Sequence, residues 1–439
     1  MINNYLTRGF WGDEAWTAGI SRLSIPEIVT ITSSDFHPPF YYFLVHYFGG
    51  LFAYREIPVR LLSTLFFLLT PLVTYFLLRL LWRNRSTSSK LDSIATALLV
   101  LFSPILFTYA FEARSYALLA FGSVLSAYLF WQAKDEKPGK YLWRALYFLL
   151  GSVLVYTHYY AWFILASHAV YLLLFERNRL KSMLVSALGI LIVQAPWLPT
   201  LLGQTSSVKG SYWIAPLNSQ THWEFFLRVT GGDVPTIFQK PLAYLIGGLI
   251  LLGFITALKD RTLNKSHLFL LSWVIVPTLI PTLLSLTFAP VFFYRYLIFS
   301  AIPLLILTVQ SLHSLFARQA RLFWLSLAVI FIMETHVDFR IFSQYPRTMA
   351  DAVREMYQSK TPGSSPVYTT LPAFAEVLYY VGDRDQIIVT PEGLVQFSGL
   401  SLLDAYVRLG KVTIAEPPTS APYWFLTPEK KALLKNSLQ

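Results

Sequence analysis

The stretch IPVRLLSTLFFLLTPLVTYFLLRLLW, residues 57–82, is apolar enough and long enough to cross the hydrocarbon core of a membrane as a helix. That core needs about 20 predominantly apolar residues. Similar runs follow along the rest of the chain. The ten that can span, or nearly so, are 57–82, 92–111, 115–132, 144–158, 159–175, 182–201, 241–258, 268–288, 292–313 and 322–337. The sequence therefore predicts an all-α polytopic membrane protein with about ten transmembrane helices.

The composition agrees with this fold class. Of 439 residues, 55% are hydrophobic and 13% are charged, against roughly a quarter charged in an average soluble protein. The net charge of +11 lies mostly in short loops between apolar runs, so we expect a membrane rather than a nucleic-acid partner. The chain has no cysteine, which excludes disulfides and thiolate metal sites.

Lys and Arg are distributed unevenly between successive loops. One set holds 16 basic residues in 43 positions: 79–92, 134–144, 176–181, 259–265 and 317–321. The intervening set holds 5 in 53 positions: 111–115, 201–240 and 289–296. The positive-inside rule places the first set in the cytoplasm and the second outside, in a plasma or inner membrane. The N-terminus then lies outside without a preceding span, which predicts that a first helix is missing from the chain as written.

Three regions are expected. Residues 1–56 form a first extracytoplasmic loop in which 38–53, aromatic and interrupted by a Gly pair, favours an interfacial helix. Residues 57–339 form the transmembrane domain. Residues 340–439 have Pro, Gly and Ser around β-prone runs at Pro366–Thr369 and Gln386–Thr390, with a helix over 372–381. This last pattern predicts a small extracytoplasmic α/β domain.

Polar residues cluster on the predicted outer side, beginning with Asp13 and Glu14 in FWGDEAW, residues 10–16. A carboxylate at the membrane interface can act as a general base toward a hydroxyl, or hold a divalent cation. Adjacent carboxylates do not share a helix face, so one of the two is expected to point into a site. The alternative is a solvated turn or a helix N-cap, which the flanking Trp11 and Trp16 make less favourable.

Two further segments carry charged side chains. In SSDFHPPFYY, residues 33–42, Asp35 suits a helix cap, and His37 suits contact with an anionic headgroup or phosphate. In YAFEARSYAL, residues 109–118, Glu112 and Arg114 either brace a hairpin as an ion pair or place Arg114 near a lipid phosphate, with Tyr116 nearby.

Two outer turns add ionisable residues. YTHYY, residues 156–160, is a predicted tight turn that offers His158 beside Tyr159, and ionisable groups in such apolar surroundings tend to be functional. FYRY, residues 293–296, offers Arg295, which either snorkels to the interface or neutralises a departing phosphate.

The outer loop 201–240 contributes Trp213, His222 and Glu224. Side chains of these types suit sugar stacking, although an ordinary interfacial loop has a similar composition.

The motifs stand in a recognisable order: GDEAW, then DFHPPFYYFLVHYFGGLF, then REIPVRLLSTLF entering a span. SPILFTYAFEARSYALL, YTHYYAWF, QAPWLPTLL and FYRYL continue the series. Over roughly residues 8–300, the chain resembles polytopic GT-C glycosyltransferases. It is most similar to their family 39 branch of protein mannosyltransferases and lipid A aminoarabinose transferases.

The resemblance implies a GT-C fold and a polyprenyl-monophosphate sugar donor. It also implies roles for individual residues. Asp13 would be the catalytic carboxylate with Glu14 in support, His37 would lie close to the donor phosphate, and Asp35 would join a polar or metal cluster with it. The remaining cavity-lining residues would be Glu112, Arg114, Tyr116, His158, Tyr159 and Arg295. No cofactor is certain, and a divalent cation at Asp35 and His37 stays open.

The function expected from these observations is an inverting glycosyl transfer on the extracytoplasmic face. Asp13 would accept a proton from the acceptor hydroxyl, and the acceptor would be a lipid, a glycan or a protein. The alternative is a polytopic transporter or lipid flippase, although such proteins place ionisable groups near the bilayer midplane and show repeated halves. A non-catalytic scaffold is a third option, which leaves the one-sided polar set unexplained.

Overall fold

The structure, a computed structural model, describes residues 3–82, 89–136, 138–210, 213–316, 318–392, 400–419 and 421–435. The helices in these residues are α1 Gly12–Ser21, α2 Ile25–Ser34, α3 Phe40–Gly50, α4 Glu56–Leu81, α5 Ser89–Leu101, α6 Pro104–Ala110, α7 Tyr116–Ala133, α8 Lys140–Val155, α9 Ala161–Phe175, α10 Leu180–Gln194, α11 Leu198–Gly210, α12 Thr221–Gly231, α13 Gln239–Lys259, α14 Lys265–Thr287, α15 Ala301–Leu315, α16 Ala320–Phe342, α17 Met349–Ser359, α18 Leu371–Val381 and α19 Leu400–Arg408. The strands are β1 Val367–Thr369, β2 Ile387–Val389, β3 Val412–Ile414, β4 Tyr423–Leu426 and β5 Ala432–Lys435. The predicted helical fold class with a small sheet is confirmed.

All ten predicted spans coincide with helical structure, but fewer are long enough to cross a membrane. Within the described residues, seven helical segments meet the length and hydropathy expected of a span. They are Glu56–Leu81, Tyr116–Ala133, Arg177–Ser206, Gln239–Lys259, Lys265–Thr287, Tyr294–Leu315 and Ala320–Phe342. An eighth is obtained if α5 and α6, which are bent by 55° at their junction, count as one span.

The predicted pair 144–158 and 159–175 accounts for the rest of the difference. The turn predicted at YTHYY is present, and it leaves α8 with 16 residues and α9 with 15. At about 1.5 Å per residue, such helices reach only about 24 Å, less than the ~30 Å of a typical hydrocarbon core. The count of about ten spans is therefore higher than helix length supports.

The chain divides into two compact units, and the helical one comprises Ser63–Phe111 and Ser115–Phe342. Small residues let its helices approach closely. A Cβ added at Gly253 would lie 2.2 Å from the Ser311 Cβ, and one at Gly122 would lie 2.1 Å from Leu154. Small residues at such crossings are typical of membrane helix packing, in which van der Waals contact replaces the hydrophobic effect.

The other unit comprises Met1–Leu62, Glu112–Arg114 and Ser343–Gln439. Its sheet has the order β3-β2-β1-β4-β5, with β5 antiparallel to β4 and all other neighbours parallel. The strands predicted at Pro366–Thr369 and Gln386–Thr390 and the helix predicted over 372–381 are confirmed as β1, β2 and α18. The two strand runs are buried because their apolar residues face helices of the same unit.

Residues 1–56 and 340–439, predicted as separate regions, belong to this one unit, since a single core contains residues of both. The loop before α1 is hydrogen-bonded to Tyr380 of α18. The Tyr380 hydroxyl accepts from the Phe10 backbone N–H at 2.5 Å and donates to Glu56 at 3.1 Å. A Cβ at Gly9 would lie 2.5 Å from the Thr348 hydroxyl, so only glycine fits there. The C-terminal segment therefore supports the segment that presents Asp13.

Candidate functional site

Glu14 is the centre of a buried ion-pair network, and its side chain is 0% exposed. It accepts from Arg60 Nε and Nη2 at 2.8 and 2.7 Å and from Arg8 Nη1 at 2.7 Å. The backbone N–H groups of Ala113 and Trp11 donate to it at 2.9 and 3.4 Å. We call the surrounding residues the Glu14 cluster: Arg8, Asp13, Glu14, Asp35, His37, Arg60, Glu112 and Arg114.

Arg60 uses its remaining donors to bind the chain just before α1. Its Nη1 donates to the carbonyls of Leu6 and Arg8 at 2.7 and 2.6 Å, and Nη2 donates to that of Gly9 at 3.1 Å. Each N–H of this buried guanidinium therefore has an acceptor, as a buried charge requires.

The electrostatics of Glu14 follow from this geometry. Burial alone would raise the pKa of Glu14, but the two guanidinium groups and the hydrogen bonds lower it to about 2. Burial would lower the pKa of Arg8, and the adjacent Glu14 carboxylate raises it above its ordinary value instead. Glu14 therefore stays ionised at any physiological pH and is fully occupied by its partners. Its contacts give Glu14 a structural role: with Arg60 and Arg8, it fixes the chain just before α1.

Asp13 differs from its neighbour in exposure. Its side chain is 41% exposed, and its carboxylate lies 3.6 Å from Arg114 Nη2. Because α1 turns by about 100° per residue, fixing Glu14 inward directs Asp13 to another side of the helix. An exposed carboxylate beside a guanidinium can accept a proton from an incoming hydroxyl, and the same guanidinium can bind an anion.

Asp35 and His37 lie in the same cluster. His37 Nε2 is 3.2 Å from Arg114 Nη2, and His37 Nδ1 is 3.5 Å from Asp35 Oδ2. Since a guanidinium can only donate, Nε2 must accept, which assigns the proton of a neutral His37 to Nδ1, facing Asp35. The result is a chain from Asp35 through His37 and Arg114 to Asp13.

Glu112 contacts Tyr5 and Arg8. It accepts from the Tyr5 hydroxyl at 3.0 Å and lies 3.8 Å from Arg8 Nη2. The backbone N–H of Arg114 donates to the Glu112 carbonyl at 2.8 Å, which makes a tight turn of the EAR motif. Glu112 is therefore a neighbour of the Glu14 network as well as of Arg114.

Asp35 and His37, for which a divalent cation was left open, do not fit one in this arrangement. The Nε2 of His37 faces the cationic Arg114, which would repel a metal ion. Across the described ranges, no group of three or more His, Cys, Asp or Glu side chains converges as metal ligands. We derive no step through a metal.

A second set of polar residues lies in the helical unit, centred on Asp233 in the loop before α13. Asp233 forms an ion pair with Arg228 and accepts from the Tyr294 hydroxyl at 2.9 Å and from the Tyr109 hydroxyl at 3.4 Å. Arg295 Nε donates to the Tyr109 hydroxyl at 3.1 Å. We call this the Asp233 cluster: Tyr109, Tyr116, His158, Arg228, Asp233, Tyr294, Arg295 and Tyr296.

Aromatic rings fill the space around Arg295. Its guanidinium lies 5.8 and 6.0 Å from the ring centroids of Tyr109 and Tyr116, within cation–π range. Tyr116 stacks on Tyr296 at 6.2 Å, and His158 lies 4.9 Å from Tyr296. The predicted residues Tyr116, His158 and Arg295 are therefore brought together in one cluster.

Tyr159 points elsewhere than its neighbour His158. It accepts from the Trp197 indole at 2.9 Å and donates to Gln204. These partners belong to the Arg177–Ser206 segment, so the described contacts of Tyr159 brace that segment. The prediction that it lines a substrate cavity gains no support from them.

The loop before α12 and the turn before α15 enclose a cavity of about 320 Å³. Its walls combine aromatic and polar side chains: Trp213, Asn218, Thr221, Glu224, Arg228, Phe292, Phe293 and Tyr294. Trp213 packs edge-on against Phe293 at 4.7 Å. Of the loop residues singled out by sequence, Trp213 and Glu224 line this cavity, and His222 contacts the Thr282 hydroxyl at 2.9 Å.

Sequence reasoning missed the partners that hold both clusters. Arg60 had a usable signal, because a charged residue near the start of an apolar span is costly and needs a partner. Arg8, Tyr109 and Arg228 had none that distinguishes them from surface residues. Asp233, in GGDVP, lacked a motif as well.

The chain is similar in sequence to membrane glycosyltransferases. Residues 36–202 match the family model of dolichyl-phosphate-mannose-protein mannosyltransferase. A curated relative from Proteus mirabilis (strain HI4320) is 24% identical over 247 residues, or 52% of this chain. It is undecaprenyl phosphate-alpha-4-amino-4-deoxy-L-arabinose arabinosyl transferase 2, and the chain spans 42% of its length.

Similar folds occur among solved structures. ArnT from Cupriavidus metallidurans matches in its apo state with a TM-score of 0.63 at 16% identity, and bound to undecaprenyl phosphate with 0.64 at 15%. Both matches cover 96% of this chain and 90% of the other. The archaeal oligosaccharyltransferase AglB from Archaeoglobus fulgidus, in complex with an inhibitory peptide and a dolichol-phosphate, matches with 0.50 at 12% identity. That match covers 85% of this chain and 60% of AglB.

Proposed function

We propose that this chain, a member of the GT-C superfamily of polytopic membrane glycosyltransferases, transfers a hexose or pentose from a polyprenyl-phosphate donor to an acceptor hydroxyl. The relatives support the donor class, since one is named for an undecaprenyl-phosphate substrate and two solved neighbours hold polyprenyl-type phosphates. The observation that carries the proposal is the difference in exposure at the DE pair: the Glu14 side chain is fully buried, and the Asp13 side chain is 41% exposed beside Arg114.

The proposed reaction is a single displacement with inversion. The acceptor oxygen attacks the anomeric carbon, its proton passes to the Asp13 carboxylate, and the carbon–oxygen bond to the phosphate breaks. Polyprenyl phosphate leaves with the electron pair of that bond. Arg114, with His37 behind it, lies beside Asp13 and would bind the phosphate oxygens on which negative charge develops.

The helical unit supports a role in binding sugar. Its cavity of about 320 Å³ is lined by aromatic side chains together with Asn218, Glu224 and Arg228. Aromatic surfaces suit the C–H faces of a sugar ring, and the polar groups suit its hydroxyls. Arg295, inside its ring of tyrosines, is a second proposed phosphate ligand.

We also propose that the reaction occurs on the extracytoplasmic side of the membrane. The charge bias supports this orientation, with 16 basic residues in 43 positions of one loop set and 5 in 53 of the other. The DE, DFH, EAR, YTHYY and FYRY motifs all fall in the basic-poor set or in segments that the same alternation assigns to its side.

The test is the variant Asp13→Asn in the full chain, assayed in membranes for transfer of label from a polyprenyl-phosphate sugar. Loss of a general base is expected to reduce the rate about 10²- to 10⁴-fold. The unfolding temperature should stay unchanged, because Asp13 is partly exposed. The matched control is Asp404→Asn, an exposed aspartate of α19 in the same unit.

Two results would count against the proposal. A nearly full rate in Asp13→Asn would remove Asp13 as the base while leaving the transferase activity in place. Absence of transfer by the wild type from every polyprenyl-phosphate pentose and hexose offered, in membranes containing the native acceptors, would overturn the function itself.

A further inference from the structure

We propose that the groove between α8 and α10 is a binding site for a phospholipid with an anionic headgroup. The groove has a volume of about 420 Å³ and lies in the helical unit. Tyr141, Arg144 and Phe148 line it from α8, and Lys181, Val185 and Gly189 line it from α10. Successive residues of this set are three or four apart on each helix, so each helix contributes one continuous face.

The groove changes from polar to apolar along its length. Tyr141, Arg144 and Lys181 lie at the beginnings of their helices, and Phe148 and Gly189 lie about two turns further on. Two turns correspond to roughly 11 Å along a helix. A headgroup at the polar end would therefore leave the first part of an acyl chain against the apolar end.

Gly189 and Phe148 lie at the apolar end of this groove. A Cβ added at Gly189 would lie 2.8 Å from the Phe148 ring, so the two helices touch there. On both sides of the groove, leucines of α8 and α10 are exposed: Leu142, Leu146, Leu149, Leu184, Leu188 and Leu191. Such exposed apolar faces on a membrane protein are surfaces in contact with lipid.

The polar end has an excess of positive charge. Glu136 is shared by Lys140, at 2.5 Å, and Arg144. Lys181 is exposed, and none of the ion pairs among the described residues involves it. The two segments that meet here, 134–144 and 176–181, carry seven Lys or Arg and three Asp or Glu.

The chemistry favours one occupant. Basic residues at the membrane surface attract anionic lipids, and basic pockets between membrane helices bind their headgroups. An ammonium, a guanidinium and a tyrosine hydroxyl can all donate to phosphodiester oxygens, and the apolar groove suits an acyl chain. A zwitterionic lipid offers the same chain but no net charge to match the excess.

The experiment uses the full chain in detergent with equal amounts of phosphatidylglycerol and phosphatidylcholine of identical acyl chains, read out by native mass spectrometry. We expect one phosphatidylglycerol to be retained with about tenfold preference. Lys181→Glu should remove that preference, and Lys181→Arg should keep it. The control is Lys259→Glu, an exposed lysine that ends α13.

Several outcomes would overturn the site. They are equal retention of both lipids by the wild type, an unchanged preference in Lys181→Glu, or an equal loss in Lys259→Glu. Displacement of the bound phosphatidylglycerol by undecaprenyl phosphate, molecule for molecule, would assign the groove to the donor lipid instead. Thermal unfolding of each variant is measured to confirm that it is folded, as expected because Lys181 is exposed and takes part in no ion pair of the described residues.

Discussion

The Glu14 cluster and the Asp233 cluster each place a carboxylate against arginine, but they do so in opposite surroundings. Glu14 has no exposed side-chain surface and accepts from two arginines and two backbone N–H groups. The Asp233 side chain is 19% exposed and accepts from one arginine and two tyrosine hydroxyls.

This difference predicts how each cluster responds to change. Water cannot replace the partners of a fully buried carboxylate, so removing its charge leaves the guanidinium groups beside it without that compensating charge. A partly exposed carboxylate keeps access to water, which screens the loss of one partner. The Glu14 cluster is therefore a fixed support for Asp13, and the Asp233 cluster is an arrangement that solvent or substrate can modify.

The largest expected effect is that of Glu14→Gln. The amide keeps the shape of the side chain but takes the Glu14 negative charge away from the buried Arg60 and leaves Arg8 only Glu112, 3.8 Å away. Removing one partner of a buried ion pair costs about 3–5 kcal/mol. We expect a large drop in the unfolding temperature of the detergent-solubilised protein and loss of folded material. Asp13→Asn, one residue away, is the control and should unfold at the wild-type temperature. Equal stability of both variants would show that the network does not support the fold.

Acid should weaken the Glu14 cluster in a defined range of pH. The pKa of Glu14 is lowered to about 2 in the folded chain, against about 4.3 for an unperturbed glutamate. A lowered folded pKa contributes stability above the unfolded pKa, and this contribution is lost as pH falls from about 4.3 toward 2. The loss amounts to roughly 3 kcal/mol. Unfolding measured between pH 5 and pH 2.5 should show this slope in the wild type and a shallower one in Glu14→Gln.

The helices and the DE pair could be predicted from sequence because both depend on local pattern. Apolar runs identify the spans, and adjacency alone says that only one of Asp13 and Glu14 faces a site. The local pattern does not say which one, because the answer depends on Arg60, 46 residues further along the chain, and the choice of Asp13 came from the family resemblance alone. Ion pairs across such separations leave no periodic signal in a single sequence.

The C-terminal segment illustrates the same limit. Two of its strands, β1 and β2, and the helix α18 were predictable from short β-prone runs and turn residues, but its place beside α1 was not. Tyr380 contacts the Phe10 backbone 370 residues earlier, through a single hydroxyl. The lengths of α8 and α9, 16 and 15 residues, are close to those of the predicted runs, but helices this short were counted as spans on hydropathy alone.

The smallest expected effect is that of Asp233→Asn. The amide oxygen still accepts from Tyr294 and Tyr109, and Arg228 keeps its position over the Tyr294 ring, 4.6 Å from the centroid. The charge and the hydrogen bond from Arg228 are lost, at a partly exposed pair that contributes about 1 kcal/mol or less. The unfolding temperature should fall slightly, and the fall should shrink further as salt is raised, because screening weakens exposed pairs. Arg228→Gln, which removes the other charge of the same pair, should give a similar small and salt-dependent loss. A loss as large as that of Glu14→Gln, and insensitive to salt, would mean that the Asp233 cluster is as fixed as the Glu14 cluster.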